Sequence, residues 1–500
     1  MLKPVALLLL LASPALARQV NVSSVSQLQS ALAGAQAGDE IILADGTYAV
    51  NANLSCTVNG TAQAPIVVRA QNKLGAIIRF NAVEGFKVSG AYWTFDGLDI
   101  QGACADDNNC EHAFHVTGHA EHFVLRNSRV RDFNAQLKAN ASQNGSTWEI
   151  PHRGLIERNE LGDTRPRATS KPVTKLNIDT GDNWIVRDNL IRDFHKNGGD
   201  FVSYGAFMKS GGNNGVFERN LVLCTRDVTT GGTRVGLSFG GGGTGNAFCA
   251  PAFNSAVPCD PEHNGGTMRN NVIANCSDVG IYLNKARSTQ VLFNTLISTS
   301  GVDFRFASST GAAHGNVLAG NLRGREGGTF DAGTNLLNVT SATFSSWYQE
   351  PLKGNLTIKG NVSSLIGAAA ARAQVVDDFC GRPRPSQGAY TLGALEHSLG
   401  DCSGWPTDGG SASPDAGTGN GGNGGSDGGP GGSPDGGIPS PMDAGVSSDG
   451  GPGTELPPDE EEAGGCGCSS GSGVNATLLL MVLGLLALSS HRRALGQKRA

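Results

Sequence analysis

Aromatic residues make up only 6% of this 500-residue chain and charged residues only 16%, and no apolar stretch reaches the ~20 residues of a membrane-spanning helix. Basic residues are not in excess either: 38 Lys and Arg against 44 Asp and Glu leave a formal charge of −6, so we expect no nucleic-acid partner. The glycine run 240–243 lacks the lysine of a phosphate-binding loop. A hydrophobic content of 39% still allows a large core and excludes wholesale disorder.

The first 17 residues have the pattern of a secretory signal, in which a charged start at Lys3 precedes a short apolar run and a small-residue cleavage site ending at Ala17. Export to an oxidising compartment would permit disulfides. Nine cysteines precede residue 403, and Cys104–Cys110 and Cys249–Cys259 are close enough in sequence to pair. Because nine is an odd number, at least one of these thiols is expected to stay free or to pair elsewhere.

The far end of the chain divides into two parts. Residues 402–464 are rich in Gly, Ser, Pro and Asp, which predicts a disordered, acidic linker. Residues 465–500 combine a Cys motif, a short apolar helix from Ala476 to Leu488 and a basic end. This order resembles the C-terminal sorting tail of myxobacterial surface proteins. The resemblance implies a protein that is secreted or displayed at the cell surface or outer membrane, with the tail in the membrane before processing.

One folded domain, residues 18–401, remains, and a short motif recurs in it: an apolar residue, further residues that often include Arg, and then Asn. The motif ends at Asn127, Asn159, Asn189, Asn220, Asn271 and Asn294. These Asn residues are mostly about 30 residues apart, and a repeat of that length predicts a solenoid. Short alternating apolar stretches without helical periodicity predict strands. We therefore predict an all-β fold, a right-handed parallel β-helix, whose Asn residues adopt the left-handed conformation and stack as a ladder at one corner. A short helix over residues 24–32 is predicted to cap the first coil.

Two regions resemble a known family. Leu28–Tyr48 with Ala64–Ala70 is similar to the entry of secreted pectin-lyase-like β-helix proteins, particularly the chondroitinase-B and alginate-lyase group. Asp377–Pro383 with Leu392–Glu396 resembles the terminal segment of related β-helix proteins. The resemblance implies this fold and an acidic or neutral polysaccharide as the partner, and we expect a monomer.

Strand alternation predicts which side chains share the outer face. If Ala206 and Met208 point inward, then Phe207 and Lys209 point outward, and matching coils can be aligned on this register. The predicted inward pairs are Leu176/Ile178, Leu237/Phe239, Ile281/Leu283 and Phe304/Phe306. The predicted outward columns are Asp179, Lys209, Ser238, Asn284 and Arg305, beside Asn177, Phe207, Gly236, Tyr282 and Asp303. We predict that the two aromatic rings stack on sugars, while Asp179, Asn177, Asn284 and Arg305 bind polar groups of the polysaccharide.

The segment from Met208 to Asn220 resembles the part of the lyase group that carries its Brønsted base. The resemblance implies that Lys209 removes the C5 proton of a uronate, that an Arg one coil later assists, and that Ca²⁺ neutralises the carboxylate. Here Ser238 stands where the Arg is expected, which leaves Arg234 as the nearest substitute. Val202 and Tyr204 stand where the acidic Ca²⁺ ligands are expected, so Ca²⁺ is implied by resemblance alone.

The leading hypothesis is a polysaccharide lyase that cleaves uronate-containing glycans by β-elimination. The alternative is a non-catalytic carbohydrate-binding or adhesin-type solenoid. Hydrolysis would need two acids ~5 to 9.5 Å apart, whereas Asp179 and Asp303 are predicted to lie several coils apart. Four histidines are close in sequence, but alternation is expected to scatter them, so no metal site is predicted at His112, His115, His119 and His122.

Overall fold

The computed structural model describes residues 18–241 and 244–402. The predicted signal (1–17) and sorting tail (465–500) lie outside the described residues, as does the predicted linker (402–464) apart from Cys402. Within the part of the chain that is described, no helix is long and apolar enough to cross a membrane.

Three parallel sheets form a β-helix, because the chain returns to each sheet in turn and every strand pairs with the strand of the next coil. One sheet, called the site sheet below, has ten strands: β1 Leu54–Cys56, β2 Glu84–Val88, β3 His112–Thr117, β4 Ala135–Asn140, β5 Val173–Ile178, β6 Val202–Met208, β7 Thr233–Phe239, β8 Ile281–Asn284, β9 Gly301–Arg305 and β10 Asn321–Arg325.

The other two long sheets complete each coil. The twelve-stranded sheet consists of Gln19–Val22, Glu40–Leu43, Ile66–Ala70, Trp93–Asp96, Val124–Arg126, Leu155–Glu157, Ile185–Arg187, Val216–Glu218, Thr267–Arg269, Thr289–Leu292, Thr310–His314 and Thr329–Ala332. The third sheet consists of Gly46–Val50, Ala76–Phe80, Asp99–Gly102, Arg129–Arg131, Glu160–Gly162, Leu190–Arg192, Leu221–Leu223, Val272–Ala274, Thr295–Ile297 and Val317–Leu318. The predicted parallel β-helix is therefore confirmed.

Shorter elements decorate the solenoid. The smaller sheets pair Ser142–Asn144 with Thr147–Glu149, Gly212–Asn213 with His263–Asn264 and Ala286–Arg287, Tyr348–Glu350 with Asn355–Ile358, and Ala369–Ala370 with Ala389–Tyr390. The α-helices are α1 Val25–Ala33 and α2 Ser341–Trp347, and the 3-10 helices are Asp107–Asn109, Asn246–Phe248, Pro351–Lys353 and His397–Leu399.

Helix α1 closes the open end of the first coil. It begins after Ser24, whose hydroxyl accepts a hydrogen bond from the Gln27 amide, as expected of an N-cap. Leu28 and Leu32 lie on one face of the helix and are buried against the core of the first coils. The predicted capping helix is confirmed, and it shields strand edges that would otherwise invite pairing with another chain.

An asparagine ladder runs along one corner of the solenoid. In each step the side-chain oxygen of one Asn accepts hydrogen bonds from both the backbone and the side-chain amide of the Asn one coil earlier, with N···O distances of 2.8–3.2 Å. The ladder consists of Asn159, Asn189, Asn220, Asn271, Asn294, Asn316 and Asn335. The predicted ladder is confirmed.

The predicted left-handed conformation falls one residue earlier than expected. The positive φ angles belong to the residues that precede the ladder, such as Arg158, Asp188 and Arg219 at 53–57°. Asn127 lies in this preceding column, because the ladder position of its coil is occupied by Ser128, whose amide donates to Asn159. Asn127 and Asn220 therefore do not lie in the same column, and the predicted alignment of the Asn127 coil is wrong by one residue.

Replacing Asn220 by Ala is expected to lower the free energy of unfolding by about 3 kcal/mol. The change removes the acceptor of two hydrogen bonds from Asn189 and the donor to Val186 and Asn271, which leaves buried polar groups without partners. Urea unfolding followed by circular dichroism measures the loss. Asn51→Ala, in an exposed loop, is the control and is expected to change stability by less than about 0.5 kcal/mol. Equal losses in the two variants would show that the ladder does not stabilise the fold.

Four disulfides join cysteines of the described chain. Cys104–Cys110 and Cys249–Cys259 are confirmed as predicted, and Cys224–Cys276 and Cys380–Cys402 are added. Cys56 is the odd thiol, and it is free and buried. Burial in an apolar environment raises its pKa, so this thiol is a core residue and not a reactive group.

Candidate functional site

Strict alternation fails at the start of the site-sheet strands, where two consecutive residues point inward. In β3, Ala113 and Phe114 are both in the core, while His112 and His115 contact each other on the outside, with ring centroids 5.3 Å apart. In β6, a side chain at Gly205 would meet the core ring of Phe194. Residues three apart therefore share the outer face, which corrects the expectation that alternation separates His112 from His115.

The register of the site sheet confirms part of the predicted columns and corrects the rest. Asn177 pairs with Phe207, Tyr282 pairs with Asp303, and Asn284 pairs with Arg305, as predicted. Ser238, however, pairs with Phe207 and Tyr282 instead of following Lys209.

Two further columns shift with this register. Met208 pairs with Phe239, so the residue beside Lys209 in the next coil is Gly240. Gly236 precedes the Ala206–Leu237 pair and therefore lies level with Gly205, outside the Phe207 column. The inward residues of β9 are Val302 and Phe304, because these pair with Ile281 and Leu283, whereas Phe306 lies beyond the strand at a φ of 70°.

Lys209 lies directly after β6 at the centre of the candidate site. Its ammonium nitrogen is 3.4 Å from Asp179 Oδ1 and 4.9 Å from the centre of the Phe207 ring. Asp179 Oδ2 contacts a second ammonium group, that of Lys138, which also donates to Asn177 Oδ1 at 3.2 Å. One carboxylate thus lies between two lysines that come from coils on either side of it.

Two charged residues near Lys209, Lys138 and Glu262, were not predicted from the sequence. Lys138 lies in β4 and pairs with Asn177. Its position could have been found by carrying the predicted column one coil further back. Glu262 is buried, accepts a hydrogen bond from Thr244 at 2.8 Å, and lies in the electrostatic field of Lys209. Burial raises the pKa of this carboxyl group, and the Lys209 charge opposes that rise.

A bridge of two segments spans the strand ends at Asp179 and Lys209. The hairpin Ser142–Glu149 follows β4, and the disulfide-bonded segment 244–262 follows β7, so the two flank β5 and β6. Their tips meet where the rings of Trp148 and Phe253 stack 4.2 Å apart with an interplanar angle of 9°. The stacked rings join the two segments beside the ends of β5 and β6.

The predicted sugar-stacking rings are covered. Phe207 is 3% exposed and Tyr282 is 1% exposed, and both pack in an apolar cluster with Tyr204, Val235 and Val279 on the outside of the site sheet. Tyr204 and Phe207 meet edge to face at 5.5 Å. In this structure the rings stabilise the outer layer, so the expectation that they offer free faces to sugars is corrected.

Arg234 is not brought near Lys209. It pairs with Ser203 at the start of β7, six residues before Gly240, which corresponds to roughly 20 Å along the strand. Its guanidinium donates to the carbonyls of Thr230 and Gly231 and to His195 Nδ1. Burial, with the Arg234 charge, lowers the pKa of His195 to about 4. Arg234 therefore orders a turn and does not assist at Lys209.

The C-terminal coils of the site sheet form a separate polar network. Arg305 donates to the Tyr282 hydroxyl at 2.9 Å and to Glu326 at 2.8 Å, and Asn284 donates to the same hydroxyl at 3.3 Å. Asp303 forms ion pairs with two arginines, Arg323 and Arg325. Arg305 lies three strands from Lys209, about 14 Å at ~4.8 Å per strand, so these residues do not share one contact site with Lys209.

Calcium does not fit the surroundings of Lys209. Ca²⁺ takes six to eight oxygen ligands. The predicted ligand positions hold Val202 and Tyr204, and the nearest carboxylate, that of Asp179, is already paired with two ammonium groups. Among the described residues, the one cluster with metal-ligand geometry is Glu84, His112 and His115, on β2 and β3.

Comparison with known proteins supports the fold. A family model described as the Pel9A-like, right handed beta helix region matches residues 14–150, which include the first four strands of the site sheet and end before Lys209. No curated protein matches the chain.

Solved structures with a similar fold share little sequence with this chain. An alginate lyase from Paenibacillus sp. str. FPU-7 is 17% identical with a TM-score of 0.38, covering 63% of this chain and 99% of its own. Pectate lyase Pel9A is 14% identical with a TM-score of 0.47, covering 76% and 96%. A polysaccharide lyase of the PL6 family from Pseudopedobacter saltans, Pedsa3628, is 12% identical with a TM-score of 0.33, covering 68% and 90%.

Proposed function

We propose that this chain is an exported polysaccharide lyase that cleaves uronate-containing glycans by β-elimination on the outer face of the site sheet. The observation that supports it is the arrangement of Lys209, Asp179 and Lys138, in which two amines flank one carboxylate at the ends of neighbouring strands. Lys87 and His115 extend the column of Lys138 towards β2, beside the column of Asp179 and Lys209, so two lysines and a histidine follow one another across the face where a polyanionic chain would bind.

The proposed reaction uses the two lysines differently. Lys209, in its unprotonated form, takes the C5 proton of the uronate, the C5–H electrons form the C4=C5 double bond, and the C4–O bond breaks. The proton then passes from Lys209 to the departing oxygen. Lys138 offsets the negative charge that develops on the uronate carboxylate, which is the part assigned to Ca²⁺ in the lyases that this chain resembles. Asp179 positions both amines.

Activity on a set of polymers tests this proposal. The protein is incubated with alginate, pectate, glycosaminoglycans and a neutral glucan, and the ultraviolet absorbance of the unsaturated uronate product is followed. We expect product from at least one uronate polymer and none from the glucan, which has no carboxylate to acidify the C5 proton. Absence of product from every uronate polymer would refute the lyase assignment.

The missing side chain after Lys209 favours one alternative, a solenoid that binds polysaccharide without cleaving it. Gly240 supplies no side chain in the column after Lys209, where the lyases that this chain resembles are expected to have an assisting Arg. This alternative predicts retention of the protein on immobilised uronate polymers with no unsaturated product. Affinity electrophoresis in gels containing the same polymers therefore distinguishes the two functions.

A further inference from the structure

Three potential metal ligands converge on the outer face of the site sheet, away from Lys209. His112 pairs with Glu84 across β2 and β3, and His115 lies on the same face because Ala113 and Phe114 both point inward. One ligand atom from each residue, two imidazole nitrogens and a carboxylate oxygen, lies within 4.8 Å of the others. Ligand atoms in a tetrahedral Zn²⁺ site lie ~3.4 Å apart, so the most widely separated pair needs to close by up to ~1.4 Å.

The His115 ring is already oriented for coordination. Its Nε2 lies 2.8 Å from Asn140 Oδ1, and the Asn140 amide is itself fixed by donation from Nδ2 to the Ala141 carbonyl at 2.8 Å. Since Oδ1 can only accept, Nε2 donates to it, and Nδ1 lies 2.5 Å from Glu84 Oε1, so a metal ion bound at Nδ1 would take the place of the proton shared with this carboxylate. A carbonyl oxygen behind the ring is the usual support of a metal-bound histidine.

His112 supplies an unsatisfied nitrogen. Its Nδ1 is buried and has no hydrogen-bond partner, and the nearest ligand atom is Glu84 Oε1 at 4.0 Å. On the other side of the ring, Nε2 lies 3.9 Å from Glu111 Oε1. A buried ring nitrogen without a partner costs free energy, and a metal ion between Nδ1 and the Glu84 carboxylate would satisfy it.

We propose that Glu84, His112 and His115 form a binding site for a divalent transition-metal ion such as Zn²⁺. Two imidazoles and one carboxylate are a donor set of catalytic and regulatory zinc sites, and they leave a fourth position for water. Ca²⁺ is disfavoured here because it requires more oxygen ligands than one carboxylate provides. The three side chains are 11–19% exposed, so an ion can enter from solvent without unfolding the coil.

Lys138 and Lys171 also act electrostatically on His112, but Lys87 is the cation that pairs directly with a proposed ligand. Lys87 Nζ lies 2.9 Å from Glu84 Oε2, and its side chain is 38% exposed. Its charge opposes a second cation and occupies one carboxylate oxygen, so removing it is expected to strengthen metal binding. This gain cannot arise from misfolding, which makes Lys87→Ala a sharper test than the loss of a ligand.

Titration of the purified protein with Co²⁺ and Zn²⁺ tests the site. We expect one ion per chain, with a visible Co²⁺ absorption spectrum of nitrogen and oxygen coordination that Zn²⁺ displaces. Glu84→Gln and His112→Gln are each expected to weaken binding by about 100-fold, and Lys87→Ala to strengthen it by about 10-fold. The control is His119→Gln, because His119 is 65% exposed and bonds to Glu149 outside the cluster.

The outcomes separate cleanly. Loss in both ligand variants together with gain in Lys87→Ala supports the site, provided that His119→Gln binds like the unmodified protein. Binding that is insensitive to Glu84→Gln, weaker in Lys87→Ala, or equally weakened by His119→Gln overturns it. The readout is metal affinity, so the result does not depend on whether Lys209 catalyses elimination.

Discussion

Replacing Lys209 by Ala is expected to lower the rate of β-elimination by about 1,000-fold, within the range that one general base contributes. The variant lacks the amine that contacts Asp179 from the end of β6, and among the described residues the other amine paired with this carboxylate is that of Lys138. Lys138 cannot substitute for it, because Lys138 reaches Asp179 from the opposite side. The measurement is the initial rate of unsaturated product formation on the polymer that the unmodified protein cleaves best.

Lys209→Arg distinguishes the role of Lys209 as a proton acceptor from its role as a positive charge beside Asp179. Arginine keeps a cation beside Asp179, but its guanidinium does not lose a proton in proteins, so this variant is expected to be as inactive as Lys209→Ala while it still binds polymer. Lys353→Ala is the matched control, because Lys353 is 72% exposed and pairs only with Glu350. A Lys209→Arg variant within a few-fold of the normal rate would assign proton removal to another group.

The coil architecture follows from local sequence to a large degree. Each coil has to bury an apolar face against its neighbours, so the same apolar and Asn positions recur, and the repeat reveals the fold. The one-residue error at Asn127 has a physical cause. Ser128 replaces Asn at the ladder position, and a search for Asn then selects the neighbour with positive φ.

The outer face is harder to predict, because it depends on two features without a periodic signal. Two inward residues at the start of each strand place His112 beside His115 and Tyr204 beside Phe207. The segment 244–262 is recognisable as an insertion, but only the fold shows that Phe253 stacks on Trp148 across the strands that end at Lys209. The long-range disulfide Cys224–Cys276 was missed for a similar reason, since pairing across coils requires the register.

Replacing Lys175 by Met is expected to lower the free energy of unfolding by about 3 to 5 kcal/mol, a large effect for a single substitution. Lys175 occupies the inward corner of β5, where the neighbouring coils have Gln136 and Gly205, and its side chain is fully buried. Its ammonium donates to Asp163 at 2.6 Å and to the Phe133 carbonyl at 2.9 Å. Met fills a similar volume but leaves the Asp163 carboxylate buried without its cation. Urea unfolding near pH 7 measures the loss.

Two comparisons isolate the ion pair as the cause. Lys171 lies four residues earlier, is 39% exposed and pairs with Glu111. Lys171→Met breaks this exposed ion pair and is expected to lower the free energy of unfolding by less than about 1 kcal/mol. The double variant Lys175→Met with Asp163→Leu is expected to regain most of the loss, because it removes both buried charges.

The pH dependence of the loss is a further check. Burial raises the pKa of Asp163 above its unfolded value. The protonated form of Asp163 therefore stabilises the folded state at low pH, and this stabilisation is lost as pH rises through the folded pKa. Without Lys175 that pKa rises further, and the loss is therefore expected to be larger near pH 8 than near pH 5. A loss independent of pH, or one that the double variant does not reverse, would instead attribute the effect of Lys175→Met to altered packing at the β5 corner.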